Sequence, residues 1–537
     1  MSARAPWGKT GAAMIFDLPA DDAPPQMPEI AVPILDPAPP RRGRALMIQG
    51  TSSDVGKSLL VAGLCRAYAR RGLKVAPFKA QNMSNNAAVT VDSDLPPGPD
   101  GVQPRGEIGR AQALQARAAG LAPSIHMNPV LLKPQAMVGS QVVLRGRPLG
   151  NWPARHYHGL KPLLLPAVLD SYRRIAASAD LVLVEGAGAG TETHLRRSDI
   201  ANMLFAEAAD LPVVLLTDND RGGAMAALVG SWLLHTPEER ARVAGYLVNK
   251  FRGYFSLYEP ACRTITGITG WPLLGVARWF EGAALLPAED ALALERPARS
   301  AGGALVIAVP QIDRVANFDD LDPLSSEPGI DLRWVRPGQP IPAEADVVLL
   351  PGSKTTRQAL GALRMQGWDI DIRAHLRRGG RVLGICAGFQ MLGRMVRDPD
   401  GIEGPPGETP GLGLLEVDTT ITREKRLVEL DATDRISGAR VTGYEMHMGR
   451  TTGPGLDQPW LVLDGQPEGA VSADGLVMGG YVHGLFGADG YRTHWIGAMG
   501  GSGSGLEHGA QIEAALDALA DQIETDLDLD ALLALAR

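Results

Sequence analysis

The short apolar run Ala45-Leu-Met-Ile-Gln49 leads directly into Gly50-Thr-Ser-Ser-Asp-Val-Gly56-Lys57-Ser58, and residues from Gly56 to Arg71 then carry helical periodicity. A strand that turns through small residues into a helix gathers backbone N–H groups and a positive helix end at one spot. Such a loop belongs at the carboxyl edge of a parallel sheet. Further apolar runs at Lys74–Phe78, Leu181–Val184, Val213–Leu216 and Tyr246–Val248 alternate with longer segments. Strands alternating with helices predict a doubly wound α/β domain, with helices on both faces of a parallel sheet.

A second series of the same kind follows. Residues 281–303 are rich in Ala, Pro and Glu and end in Ala301-Gly-Gly303. A fresh strand then begins at Ala304, with others at Val347–Leu350 and Arg381–Ile385, each ending in a Gly-bearing turn. At 537 residues the chain exceeds the roughly 100–200 residues of one domain. The expected division has five parts: a disordered Pro-rich leader over 1–43, a first α/β domain over 44–290, a linker over 291–303, a second α/β domain over 304–497, and a tail over 498–537. The tail opens on the flexible spacer Gly500-Gly-Ser-Gly-Ser-Gly505 and continues as one or two amphipathic helices. No internal repeat is visible.

Net charge is -8, which argues against nucleic acid or an anionic membrane as the main partner. Cys65, Cys262 and Cys386 lie far apart, with no spacing that suggests a disulfide framework or structural zinc. No apolar run approaches the ~20 residues that span a bilayer, and no signal-peptide pattern is present. A reduced, cytoplasmic setting and small-molecule substrates are expected.

The first series predicts a nucleotide site. Gly50, Thr51, Gly56, Lys57 and Ser58 would hold phosphate, with Ser58 also on Mg²⁺. The loop is a variant, because Thr51 stands where the strict motif has its first Gly and Gly50 lies one earlier. Lys79 ends the second strand and can reach a phosphate, although a surface lysine is the plainer reading. Glu185 ends another strand, where a carboxylate suits Mg²⁺ or simply faces solvent. Asp218 and Asp220 hold a similar place and can bind metal or cap the next helix. The cluster Gln81-Asn82-Met-Ser84-Asn85-Asn86 is either an Asn-rich turn or a set of amides for a substrate bearing carboxylates and carboxamides.

The second series predicts a nucleophile. Gly384-Ile-Cys386-Ala387-Gly388 follows a strand and opens a helix, as a cysteine form of the nucleophile elbow. The helix end favours the thiolate. The N–H groups of Ala387 and Gly352 are candidate oxyanion donors. His483, at an apolar strand end about 100 residues beyond, is the candidate base. A lone histidine is more often structural; pairing with Cys386 is what raises this one.

Together these segments resemble a known family. Gly384-Ile-Cys-Ala-Gly-Phe-Gln-Met-Leu-Gly393, Gly480-Tyr-Val-His-Gly-Leu-Phe486 and Gly443-Tyr-Glu-Met-His-Met-Gly449 are similar to class I glutamine amidotransferases of the cobyric acid synthase type. The phosphate loop resembles that of dethiobiotin-synthetase-like ATPases. Phe78-Lys-Ala-Gln-Asn-Met-Ser84, Glu107-Ile-Gly-Arg-Ala-Gln112, Met127–Pro134 and Asp218–Gly223 resemble segments of cobyric acid synthases. The likeness covers roughly 44–497. It implies ATP- and glutamine-dependent amidation of the b, d, e and g carboxylates of adenosylcobyrinic acid a,c-diamide through acyl phosphates. It also adds Glu107 and Arg110 to the substrate residues. In the wider amidotransferase class a Glu often follows the His by two residues and orients it. Here Gly484 and Leu485 follow His483, so the resemblance implies only a Cys386–His483 dyad. The alternatives are a cobyrinic acid a,c-diamide synthase and a partition-type ATPase switch with an inactive amidotransferase domain. The Gln81–Ser84 segment weighs against the first, and the lack of an early loop lysine against the second.

Overall fold

The structure is a computed structural model, and it describes residues 43–98, 101–136, 139–289, 304–463 and 465–537. The expected linker, and the expected leader apart from Gly43, lie outside the described residues.

In the first half, six parallel strands stand in the order Leu273–Arg278, Val243–Phe251, Val213–Asp218, Arg44–Gly50, Leu181–Ala189, Val75–Phe78. All the apolar runs read from the sequence are in this sheet. Side chains alternate between its faces. Leu46, Ile48 and Val75 share a core with Leu60 and Leu64 of the helix Lys57–Arg70. Phe78 points the other way, stacking with Phe205 and meeting Tyr172 edge-on, with ring centroids 5.5 Å away in both cases.

The second half has a sheet ordered Ile330–Val335, Leu305–Pro310, Val347–Leu350, Arg381–Ile385, Val477–Gly480, Ala470–Val471, parallel except at the last pairing. The doubly wound reading omits one part of this half. The long strands Asp418–Asp434 and Arg440–Thr452 form an antiparallel arm, and Val482–His483 pairs with the second of them. The arm reaches the first half. Met446, Leu427 and Tyr444 pack with Ala87, Val89, Leu131 and Val143, so one apolar cluster is shared between the halves. Ionic contacts surround that cluster, including Arg105–Glu429 and Lys425–Glu107.

The Gly/Ser spacer that opens the tail departs from the flexibility expected of it. Ser504 donates through its N–H and its hydroxyl to the buried Glu327, whose other oxygen accepts from Arg492 at 2.7 Å. The helix His508–Asp526 then lies on the helix Lys57–Arg70. A Cβ on Gly63 would stand 2.2 Å from Ile523, so glycine permits the close approach. Finally Arg537 exchanges backbone hydrogen bonds with Ala45 of the first strand. The tail is thus part of the first half. Among the described residues, no helix is long and apolar enough to cross a membrane.

Candidate active sites

The phosphate loop opens on a cavity of about 1070 Å³. Gly50 is required here, since a Cβ would sit 2.7 Å from the Ser52 carbonyl oxygen. Gly56 adopts φ +92° beside Asn249, where L side chains are strained. Thr51 bonds Thr217 of the neighbouring strand at 3.2 Å, so its visible part is to anchor the loop. Lys57 Nζ donates to the carbonyls of Gly188, at 2.9 Å, and Ser52. Burial, with Lys79 nearby, pushes the Lys57 ammonium down to about 8. A buried cation short of contacting carboxylates is poised for an anion.

Ser58, Lys79 and Glu185 meet on this wall. The Ser58 hydroxyl lies 2.7 Å from Glu185 Oε1, and Lys79 Nζ lies 2.7 Å from the same oxygen. Glu289 completes the group, 2.6 Å from Lys79 and 2.5 Å from Ser58. Burial disfavours the Lys79 ammonium, but the two carboxylates outweigh it and hold it well above the usual lysine range. Sequence reasoning passed over Glu289 because it sits in the Ala/Pro/Glu stretch taken as the approach to a linker.

The hydroxyl–carboxylate pair fits Mg²⁺, which takes hard oxygens from one or two side chains and the rest from phosphates and water. Among the described residues no three His, Cys, Asp or Glu form a metal cage.

Asp218 does not join this group. Its carboxylate accepts from Lys250 at 2.8 Å and from the backbone of Asp220 and Arg221. Expected as a metal ligand, it is instead spent on a lysine and on its own turn, and its strand-end position alone was the misleading signal. Asp220 pairs with Arg252.

The amide cluster divides between two places. Gln81 and Asn82 line the large cavity, Gln81 held by Tyr157 and Asn82 by Gln112. Asn86 donates to the Ala288 carbonyl at 3.0 Å. Asn85 instead lines a second, smaller pocket, together with Cys386. Glu107 and Arg110 line neither cavity. Glu107 is fully buried and bonded to Lys133 and Lys425, and Arg110 is bonded to Tyr444 and Asp319. Both were expected on the substrate, yet both tie the two halves together. A conserved-looking motif does not distinguish a ligand contact from an interface contact.

The second pocket, about 50 Å³, is bounded by Cys386, Ala387, Gly352, His483 and Gln390 of one half and by Asn85, Lys133 and Gln135 of the other. Cys386 holds φ +55°, ψ -108° between its strand and the helix Ala387–Leu392. A non-glycine residue at positive φ stores strain, which is typical of an elbow that projects its side chain. Gly388 allows that elbow, because a Cβ there would stand 2.0 Å from the Leu350 carbonyl. Gly352 passes beside His483 in the same pocket.

His483 Nδ1 lies 2.6 Å from Asp320 Oδ2, and Asp320 Oδ1 accepts the Gly484 N–H at 2.7 Å. Asp320 is thus the orienting acid that the dyad reading lacks. It stands about 160 residues before the histidine in sequence, in the short helix Phe318–Leu321, so no local motif announces it. The imidazole is fully buried. Burial disfavours its charged form, but Asp320 and Cys386 outweigh that and push it up to about 10. Two further groups at this pocket have no contacting ionic partner of opposite sign among the described residues. Burial lowers Lys354 to about 8, and it raises Glu403 to about 7.

Comparison with known proteins agrees with this layout. Residues 46–293 match the CobQ/CobB/MinD/ParA nucleotide binding domain, and 306–491 match the CobB/CobQ-like glutamine amidotransferase domain. Over 493 residues the chain is 58% identical to a cobyric acid synthase of Cereibacter sphaeroides, covering 92% of this chain and all of the relative. A cobyric acid synthase of Paracoccus denitrificans is 56% identical over the same shares. One from Methylorubrum populi is 56% identical, covering 92% of this chain and 99% of the relative. An ATP-binding half and a glutamine amidotransferase half in one chain make a glutamine-dependent amide ligase of cobalamin biosynthesis. The chain belongs to the cobyric acid synthase family.

Proposed function

We propose that the protein amidates the b, d, e and g carboxylates of adenosylcobyrinic acid a,c-diamide, using glutamine as the nitrogen source and MgATP for activation. The observation that carries this reading is the pairing of a corrinoid-sized cavity on the phosphate loop with a buried Cys386–His483–Asp320 array in the same chain.

At the small pocket, Cys386 Sγ attacks the glutamine carboxamide, and His483 carries the proton to the leaving nitrogen. Asp320 fixes the ring through Nδ1–H, which leaves Nε2 without a hydrogen-bond partner among the described residues and able to take the thiol proton, while Cys386 Sγ rests 3.8 Å from the Met446 carbonyl. The N–H groups of Ala387 and Gly352 receive the oxyanion. Lys354 and Glu403 suit the two charges of an amino-acid zwitterion, which would supply each with its missing counter-ion. The glutamyl thioester is then hydrolysed, with His483 as base.

At the large cavity, bound MgATP supplies the phosphoryl group that turns a carboxylate oxygen into a good leaving group. Lys57 and the loop N–H groups would hold the phosphates. Ser58 and Glu185 would hold Mg²⁺, and Lys79 would neutralise charge as it moves to the carboxylate. Gln81 and Asn82 present amides to the corrinoid's own carboxamides.

The test is the mass of the products formed from the a,c-diamide, glutamine and MgATP. Four successive amidations are expected. Conversion only of the undecorated acid would instead identify an a,c-diamide synthase. Cys386→Ala should abolish amidation from glutamine and retain it from high ammonium, whereas Lys57→Ala should abolish both.

A further inference from the structure

One short helix touches both sites. Its first residue, Arg110, donates to the Tyr444 hydroxyl at 2.8 Å and pairs with Asp319 at 2.9 Å. The Tyr444 ring lies nearly parallel to His483, tilted 19° with centroids 5.3 Å apart, and Asp319 directly precedes the Asp320 that grips His483. Two of the groups that surround the base are therefore held by a single guanidinium from the other half. Farther along the same helix, Arg110–Ala118, Gln112 accepts from Asn82 at 2.9 Å. Gln115 Nε2 then donates to Glu185 Oε2 at 2.7 Å and to the Ser58 carbonyl at 3.1 Å. Gln112 and Gln115 are fully buried, and the helix packs on the helix Lys57–Arg70.

We propose that Arg110 is a positioning residue for glutamine hydrolysis, and that the helix Arg110–Ala118 ties the His483 base to the state of the ATP site. The inference rests on the reading of Cys386 and His483 as the glutamine-hydrolysing pair. The partners of Gln115 are the groups that nucleotide binding would redirect, namely Glu185 and the Ser58 segment. A ligand shifts an equilibrium only through interactions that differ between its states, and this is such an interaction. A helix of 9 residues, bonded near both ends, moves as a unit. Displacement at Gln115 therefore reaches Tyr444 and Asp319 through Arg110. Glutamine is then hydrolysed fast only when a carboxylate is ready to receive the ammonia.

The experiment measures glutamate release by the full chain, with and without MgATP plus the a,c-diamide. The rate of Cys386 alkylation by a diazo-ketone analogue of glutamine is followed in parallel by mass. In the parent protein both rates should rise on addition, by about 5- to 150-fold, the usual span of coupling between sites. Arg110→Met should cut the rise to within about twofold, with KM for glutamine and amidation from ammonium kept within about threefold. Arg110→Lys should restore part of the rise. Tyr444→Phe keeps the stacked ring and deletes the hydroxyl, and it should also lower the rise. If Arg110→Met does not fold, these two variants decide the matter. The proposal is overturned if the parent shows no rise, if the variants keep it in full, or if amidation from ammonium falls in parallel. Cys386→Ala separates the two readings, since glutamate release by that variant would sink the assignment of the pair itself.

Discussion

Asp320 holds His483 by two hydrogen bonds, one to the ring at 2.6 Å and one to the backbone N–H of the next residue at 2.7 Å. The second bond fixes the carboxylate, so the first fixes the ring. An ionised carboxylate on Nδ1 selects the Nδ1–H tautomer and leaves Nε2 as the acceptor for the thiol proton. Asp320→Asn keeps the shape but can present an N–H to the ring and favour the wrong tautomer. Amidation from glutamine should fall by about 10²–10⁴-fold, while amidation from ammonium stays unchanged. Initial rates with the two nitrogen sources check this. The variant should also move the alkaline limb of glutamine hydrolysis to lower pH. Asp320 helps hold His483 up near 10, and removing that charge lets the ring lose its proton earlier.

What the sequence made legible here is local. A strand, a glycine turn and a helix are contiguous, so both elbows could be read directly, and the order of strands along the chain followed. What it concealed joins residues far apart. Asp320 reaches His483 from the short helix Phe318–Leu321, and Glu289 reaches Lys79 across 210 positions. Asp218 and Glu185 look alike as strand-end carboxylates and each meets a lysine, but only Glu185 lines the cavity and meets Ser58 of the phosphate loop. The Gly/Ser spacer was misread because Gly and Ser favour flexibility only when nothing binds them, and here Glu327 does.

Lys79 is gripped by Glu185 and Glu289, with only 6% of its side chain exposed. A neutral side chain in its place leaves two buried carboxylates facing one another without a cation. Lys79→Met should therefore abolish amidation from glutamine and from ammonium alike, because activation precedes either route. Glutamate release in the absence of MgATP should persist within about threefold, since Cys386 and its partners lie in the other half. Parallel assays of glutamate, phosphate and product mass distinguish this from global unfolding, in which all three signals would vanish together.

Glu468 supplies a pH-dependent stability term that is separate from either site. It is buried, one oxygen accepts the Tyr481 N–H at 2.6 Å, and the other has no partner among the described residues. Burial, aided by the nearby Glu445, raises its carboxyl to about 8. The unfolded chain ionises this group near 4.3, so between roughly pH 4 and 8 the folded state binds more protons than the unfolded one. The stability it contributes is full below that window and is lost as pH rises through the folded value. Glu468→Gln stays neutral throughout and removes the slope. Its melting temperature should match the parent near pH 5 and exceed it at pH 8, for a difference on the order of a few kcal/mol. Thermal melts across that range decide it: an equal offset at both ends would mean that Glu468 titrates alike in the folded and unfolded chain, so that burial does not hold it neutral.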